Sequence, residues 1–292
     1  MANLTAYKDT GELLFDTNLI CYGLVKSGYM AYQQSWTRRT LKSAQLDPSD
    51  PSNLSPVVVN YSQDAGDNLW GFTVYNAISP ITFITGPGCL VGTSLSGSAM
   101  TFLYTNASPS TKFYCFDLMA DTIGGSTYLK TWDSSGRITF NSLQPPLNVV
   151  AAVQAPGPGS LDTHGRYTQC YSGGSWRYWR PAYNYPGSES YIDIALGSGE
   201  FAAYLPWSRS AGVYDVQPNY PASGPFYFYN ASEGAYGRNG GITFTMASTA
   251  GGSYIQLSGN QFTVPLSWIN LPVDRFPTAL VINTAGYQFP YN

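Results

Sequence analysis

Acid–base chemistry in this 292-residue chain is sought first at its one histidine, His164, and its four glutamates, Glu12, Glu189, Glu200 and Glu233. His164 lies two residues after Asp162 in QAPGPGSLDTHG. Neighbours on a loop do not converge on one substrate, so His164 is expected as a solvated loop residue. A serine hydrolase would need it as its base, and no G-x-S-x-G elbow accompanies it. A glycosidase needs two carboxyl groups flanking a sugar. Glu12 and Glu233 sit in turn-like sequence and are expected in solvent. That leaves Glu189, Asp193 and Glu200 in SESYIDIALGSGE as the one acidic cluster. Tyr191, Asp193 and Ala195 alternate there with Ile192, Ile194 and Leu196, which a strand with one polar face explains without catalysis. Asp64 and Asp67 in SQDAGDN offer oxygen ligands but lack the loop length and closing Glu of an EF-hand. No catalytic residue, metal site or cofactor is therefore assigned.

A binding surface is the better candidate. SWRYWRPAYNYP packs Trp176, Arg177, Tyr178, Trp179, Arg180, Tyr183 and Tyr185 into twelve residues. Tyr, Trp and Arg anchor binding surfaces because they combine large rigid area with a polar handle. The same alternation also fits a strand with one buried face, and both readings stay open. Flat aromatics stack on sugar rings, so a carbohydrate-binding, lectin-like adhesin with Trp176, Trp179 and Tyr183 as its platform is an alternative function.

The elements that must hold such a surface read as strands. LTAYKDTGELLFDT, from Leu4, and LKTWDSSGRITFNS, from Leu129, match at Leu4 and Leu129, Tyr7 and Trp132, Gly11 and Gly136, Leu13 and Ile138, and Phe15 and Phe140. Apolar alternation on both sides of a polar, glycine-containing cluster predicts a β-hairpin. Glycine supplies the positive φ that a tight turn demands. Phe15 and Phe140 are expected on the buried face. Looser copies are read at Phe72–Thr85 and from Ala279, with its turn at Asn283 to Gly286. The nearest approach to a helix is SWTRRTLKSAQL, from Ser35, with length for two or three turns. The expectation is an all-β protein of antiparallel sandwich or barrel-like units built from short hairpins. The proposed division is an N-terminal β domain at 1–153, a linker or long loop at 154–165 and a C-terminal β domain at 166–292.

Composition agrees with that class. Only 11% of residues are charged, whereas about a quarter is usual. Tyrosine is abundant, at 24 residues, as are glycine, at 30, and proline, at 20. A net charge of −3 offers nucleic acid no electrostatic footprint. No apolar run reaches the length of a membrane span. The first fifteen residues lack a basic segment followed by an apolar core, so secretion is not expected. Cys21, Cys89, Cys115 and Cys170 form no C-x-x-C pair and are expected as free thiols.

The repeated phrase resembles one found in tail-tip and tail-fibre-associated proteins of long-tailed bacteriophages. It consists of an aromatic strand, a polar turn with glycine, an alternating strand ending Phe-Asp/Asn, and then an apolar strand. Tyr7, Gly11, Phe15 and Asp16 carry it first, and Trp132, Gly136, Phe140 and Asn141 carry it again. The resemblance implies a non-enzymatic virion component of the distal tail, synthesised in the host cytoplasm. Its implied partners are other tail proteins and a bacterial surface receptor, with homo-oligomerisation, as a trimer, following from tail symmetry. Low charge and abundant aromatics suit the interfaces of such an assembly.

Overall fold

The computed structural model describes residues 5–17, 19–37, 39–41, 54–56, 66–120, 129–163, 165–178, 188–216, 226–250, 253–257 and 267–291. These residues form an all-β, predominantly antiparallel fold. The regular helical structure among them is a single 3-10 turn, Thr284–Gly286. No helix among the described residues is long and apolar enough to cross a membrane.

The largest sheet is organised by two long strands, Ser188–Tyr204 and Phe226–Ser248. Ile192, Ile194 and Leu196 pack against the core while Asp193 and Ala195 are exposed, the two-residue period that the alternation predicts. Residues 190–195 pair with 241–246, whereas 201–204 pair with the strand Thr278–Asn283. Gly197 and Gly199, both at positive φ, lie where the strand changes partner, a place that a side chain would strain.

Strands from both sides of residues 154–165 enter this sheet. Ala151–Gln154 pairs with Thr278–Asn283, and Ile84 pairs with Ala203. The apolar clusters are shared in the same way. Leu24, Phe83 and Phe116 pack with Ala202 and Ile282, and Phe72, Phe102 and Phe113 pack in a cluster that includes Tyr236. Residues 154–165 are themselves tied down, with Ala155 buried and its N–H donated to the Pro277 carbonyl. A second sheet places Ala31–Thr37, Gly66–Tyr75, Ala99–Thr105 and Cys89–Ser96 side by side.

Two small hairpins complete the fold. Thr5–Tyr7 pairs with Leu13–Asp16, and Lys130–Trp132 pairs with Ile138–Asn141. The two looser copies are not hairpins. Gly66–Tyr75 and Ile81–Thr85, joined by the turn at 76–80, diverge into different sheets, and Ile81–Thr85 pairs with Lys112–Leu118, which brings Phe83 against Phe116. Thr278–Asn283 ends in the 3-10 turn instead of folding back on itself. The helix candidate at Ser35 is strand as far as Thr37, followed by a further strand Arg39–Leu41, so pairing overrides local propensity there.

Candidate functional site

The two hairpins are the same object built twice. Tyr7 lies opposite Leu13 and Trp132 opposite Ile138, each pair directly after a one-residue register shift. Lys8 N–H donates to the Glu12 carbonyl and Gly11 N–H to the Lys8 carbonyl; Asp133 N–H donates to the Arg137 carbonyl and Gly136 N–H to the Asp133 carbonyl. Gly11 and Gly136 have φ of 83° and 76°, and the space where a Cβ would stand is open at both. A turn closed by a left-handed glycine is a standard three-residue hairpin connection. Each loop also carries an ion pair between its end residues, with the polarity reversed. Lys8 meets Glu12 at 2.8 Å, and Asp133 meets Arg137 at 2.7 Å. The Arg137 backbone N–H leads the hydrogen bonds that hold the Asp133 carboxyl below the usual carboxylate range.

A third loop of this kind escaped the sequence reading. Asp162 N–H donates to the Arg166 carbonyl, Gly165 N–H donates to the Asp162 carbonyl, and Gly165 has φ of 73°. The Asp162–Arg166 ion pair spans 3.3 Å, and Leu161 faces Tyr167 across the neck. DTHGR therefore repeats DSSGR, a signal visible at Asp, Gly and Arg but not flanked by a long alternating phrase. His164 is inside this loop and lies outside the described residues. Phe140 is half-buried, and the hairpin's fully buried side chains are Thr139 and Asn141, which face the chain body. Phe15 is described only in its backbone.

The Trp/Tyr/Arg segment divides. Ser175–Tyr178 is a strand paired with 188–191, which sets Arg177 opposite Glu189. Trp176 is 45% exposed. Arg177 instead grips the buried Glu189 through Nε at 2.9 Å and Nη2 at 3.1 Å, donates to the Tyr236 hydroxyl, and covers the Tyr191 ring. Asn106 and Thr245 also donate to Glu189. Burial opposes the guanidinium charge, but the Glu189 hydrogen bonds and field more than offset it, so Arg177 stays above the ordinary arginine range. Tyr178 is described only in its backbone, and Trp179, Arg180, Tyr183 and Tyr185 lie outside the described residues.

The acidic cluster does not converge either. Glu189 belongs to Arg177, Asp193 accepts from Thr243 and faces Arg238, and Glu200 pairs with Lys112 at 2.8 Å while accepting from Thr284. Glu233, expected in a solvated turn, is wholly buried inside the strand Phe226–Ser248 and paired with Arg209. The small residues around it serve close packing instead of a turn. A Cβ at Gly234 would stand 3.2 Å from Cys89, and one at Gly237 would collide with the Phe201 carbonyl.

A pocket of about 790 Å³ opens beside the second hairpin. Its apolar wall includes Val25, Val74, Ala77, Met119 and Ile138, with Tyr75 and Ile78 exposed at the rim. Several of its polar groups are already bonded within the chain. Asp117 accepts from the backbone N–H groups of Ile78, Ser79 and Leu118, and Lys26 donates to the Thr73 carbonyl. Gln144 accepts from Ala120 N–H and donates to the Leu24 carbonyl. Such a cavity binds by shape and apolar area. No protein-family model, curated protein or solved structure matches the chain.

Proposed function

We propose that this protein is a non-enzymatic component of the distal tail of a long-tailed bacteriophage, assembling with other tail proteins. The observation that carries the reading is the hairpin pair, since the phrase that bears the resemblance folds twice to the same register, hydrogen bonds and glycine conformation. Its necks leave Tyr7, Leu13 and Trp132 exposed, as an assembly surface requires. The pairing of Glu189, Asp193, Glu200 and Glu233 with four separate cations favours binding over acid–base chemistry.

The test is immunogold electron microscopy of purified particles with an antibody raised against the chain. Gold at the distal tail is the expected result; particles without the chain by mass spectrometry would overturn the reading. A glycan-binding adhesin is the second reading, favoured by the half-exposed Trp176. Saturable binding of host surface polysaccharide, lost in Trp176→Ala, would select it.

A further inference from the structure

The strand Gly66–Tyr75 is paired along only part of one edge. Residues 70–75 pair with 99–104, but on the other side the pairing with Ala31–Thr37 stops at Gly71. The chain before Ala31 belongs to Tyr22–Tyr29, which pairs with Lys112–Leu118 instead, so no described strand covers that side of residues 72–75. Asn76 N–H donates to the Ser98 carbonyl, and backbone bonds alternate sides along a strand. Phe72 and Val74 therefore bond toward 99–104, whereas Thr73 and Tyr75 direct their N–H and C=O groups to the open side. A side chain already uses one of these groups, since Lys26 Nζ donates to the Thr73 carbonyl at 2.9 Å. The Thr73 N–H and both backbone groups of Tyr75 have no partner among the described residues.

We propose that this edge receives an extended peptide segment of another protein, added as a strand beside Thr73 and Tyr75. The inference names a kind of partner for the assembly reading but stands on the strand edge, not on that reading. An added strand supplies acceptors and donors at the spacing of Thr73 and Tyr75, which neither an apolar ligand nor a sugar does. Side chains directly opposite share a face, so the added residue facing Val74 enters the pocket against Val25, Met119 and Ile138. Its two neighbours point the other way, on the side of the exposed Tyr75. Lys26 and Thr73 also line a second cleft of about 380 Å³, so the groove continues past Thr73 toward Gly71.

Lys26 sets the charge of the segment. Its ammonium has no carboxylate partner among the described residues, and an incoming N–H takes its place on the Thr73 carbonyl. A displaced ammonium in a groove favours a carboxylate, so the segment carries an acidic residue near the apolar one. The same lysine argues against a second copy, because two such edges pairing with each other would bring Lys26 toward Lys26.

The test uses the full chain and a panel of fluorescent octapeptides that alternate threonine with valine, leucine or phenylalanine and carry one glutamate. At least one should bind saturably by fluorescence anisotropy, and hydrogen exchange at Thr73 and Tyr75 should slow in the complex. N-methylation of alternate peptide amides should abolish binding with the protein left unaltered. Tyr75→Pro removes an edge N–H at a residue 68% exposed, where an edge strand admits proline. It should weaken binding about tenfold relative to Tyr75→Ala, the worth of one backbone hydrogen bond. Lys26→Met should weaken the glutamate peptide about tenfold and should not weaken its glutamine counterpart. No saturable binding, equal binding of the N-methylated peptide, Tyr75→Pro that matches Tyr75→Ala, or Lys26→Met that does not discriminate glutamate from glutamine overturns the proposal. So does a parent chain that self-associates and is dissociated by the peptide, which would assign the edge to a second copy. None of these results alters gold labelling of particles, and absence from particles leaves peptide binding unaffected, so the two proposals fail separately.

Discussion

Arg209 and Glu233 form an ion pair 2.7 Å long with both side chains wholly excluded from solvent. Nη2 of Arg209 closes the second bond at 2.8 Å, Nη1 donates to the Pro272 carbonyl, and the Tyr171 hydroxyl donates to Glu233. The pair ties the segment before Ser210 to the long strand Phe226–Ser248, so its role is to lock the core. Removing one partner strands the other. Glu233→Ala should cost about 3–5 kcal/mol, while replacement of both by apolar residues of similar volume should cost far less. Urea denaturation of the single and double variants checks this; equal losses would refute it.

Arg177 and Trp176 are adjacent yet should respond oppositely. Arg177→Ala leaves Glu189 buried and unpaired and should destabilise the chain by about 3 kcal/mol or more. Trp176, at 45% exposure, should change stability by less than about 1 kcal/mol when replaced by Ala. Melting temperatures of the two variants separate the roles, and a larger loss for Trp176→Ala would place that ring in the core.

The left-handed glycines should tolerate substitution in proportion to strain alone. No atom stands near the missing Cβ of Gly136 or Gly165, so Gly→Ala at either should cost about 1–2 kcal/mol through φ. Asparagine should cost less than alanine at both. Finding alanine neutral at Gly136 by chemical denaturation would remove the turn geometry as the reason for glycine.

The thiols should divide by burial. Desolvation pushes Cys89 and Cys115 up to about 12 and Cys170 well above the usual thiol range, while the half-exposed Cys21 is raised less. In the native protein iodoacetamide at pH 8 should label Cys21 first and the other three only on unfolding. Labelling sites read by mass spectrometry check this. The folded state holds Cys89 and Cys115 protonated where the unfolded chain ionises near 9. Their contribution to stability is thus intact below pH 9 and lost as pH rises from about 9 to about 12. Denaturation midpoints that do not fall across that window would contradict it.

Local pattern determined the two hairpins, the glycine turns and the strands outside the segment from Ser35, because each depends on residues within a few positions of one another. Alternation in SESYIDIAL sets which side chains share a face, and a left-handed glycine closes the loop from Asp133 to Arg137 whatever surrounds it. The same signal stood in DTHGR at 162–166, and only its short flanks concealed it. Tertiary structure alone decided which strands pair. Ile81–Thr85 left its sequence neighbour Gly66–Tyr75 for Lys112–Leu118, where Phe83 packs with Phe116, Leu24, Ala202 and Ile282 from distant parts of the chain. It also decided the fate of the charges. Nothing adjacent to Glu233 reveals Arg209 twenty-four positions away, nor does anything near Glu200 reveal Lys112. A carboxylate can enter the interior only where a distant cation meets it, and that meeting exists only once the sheet is assembled.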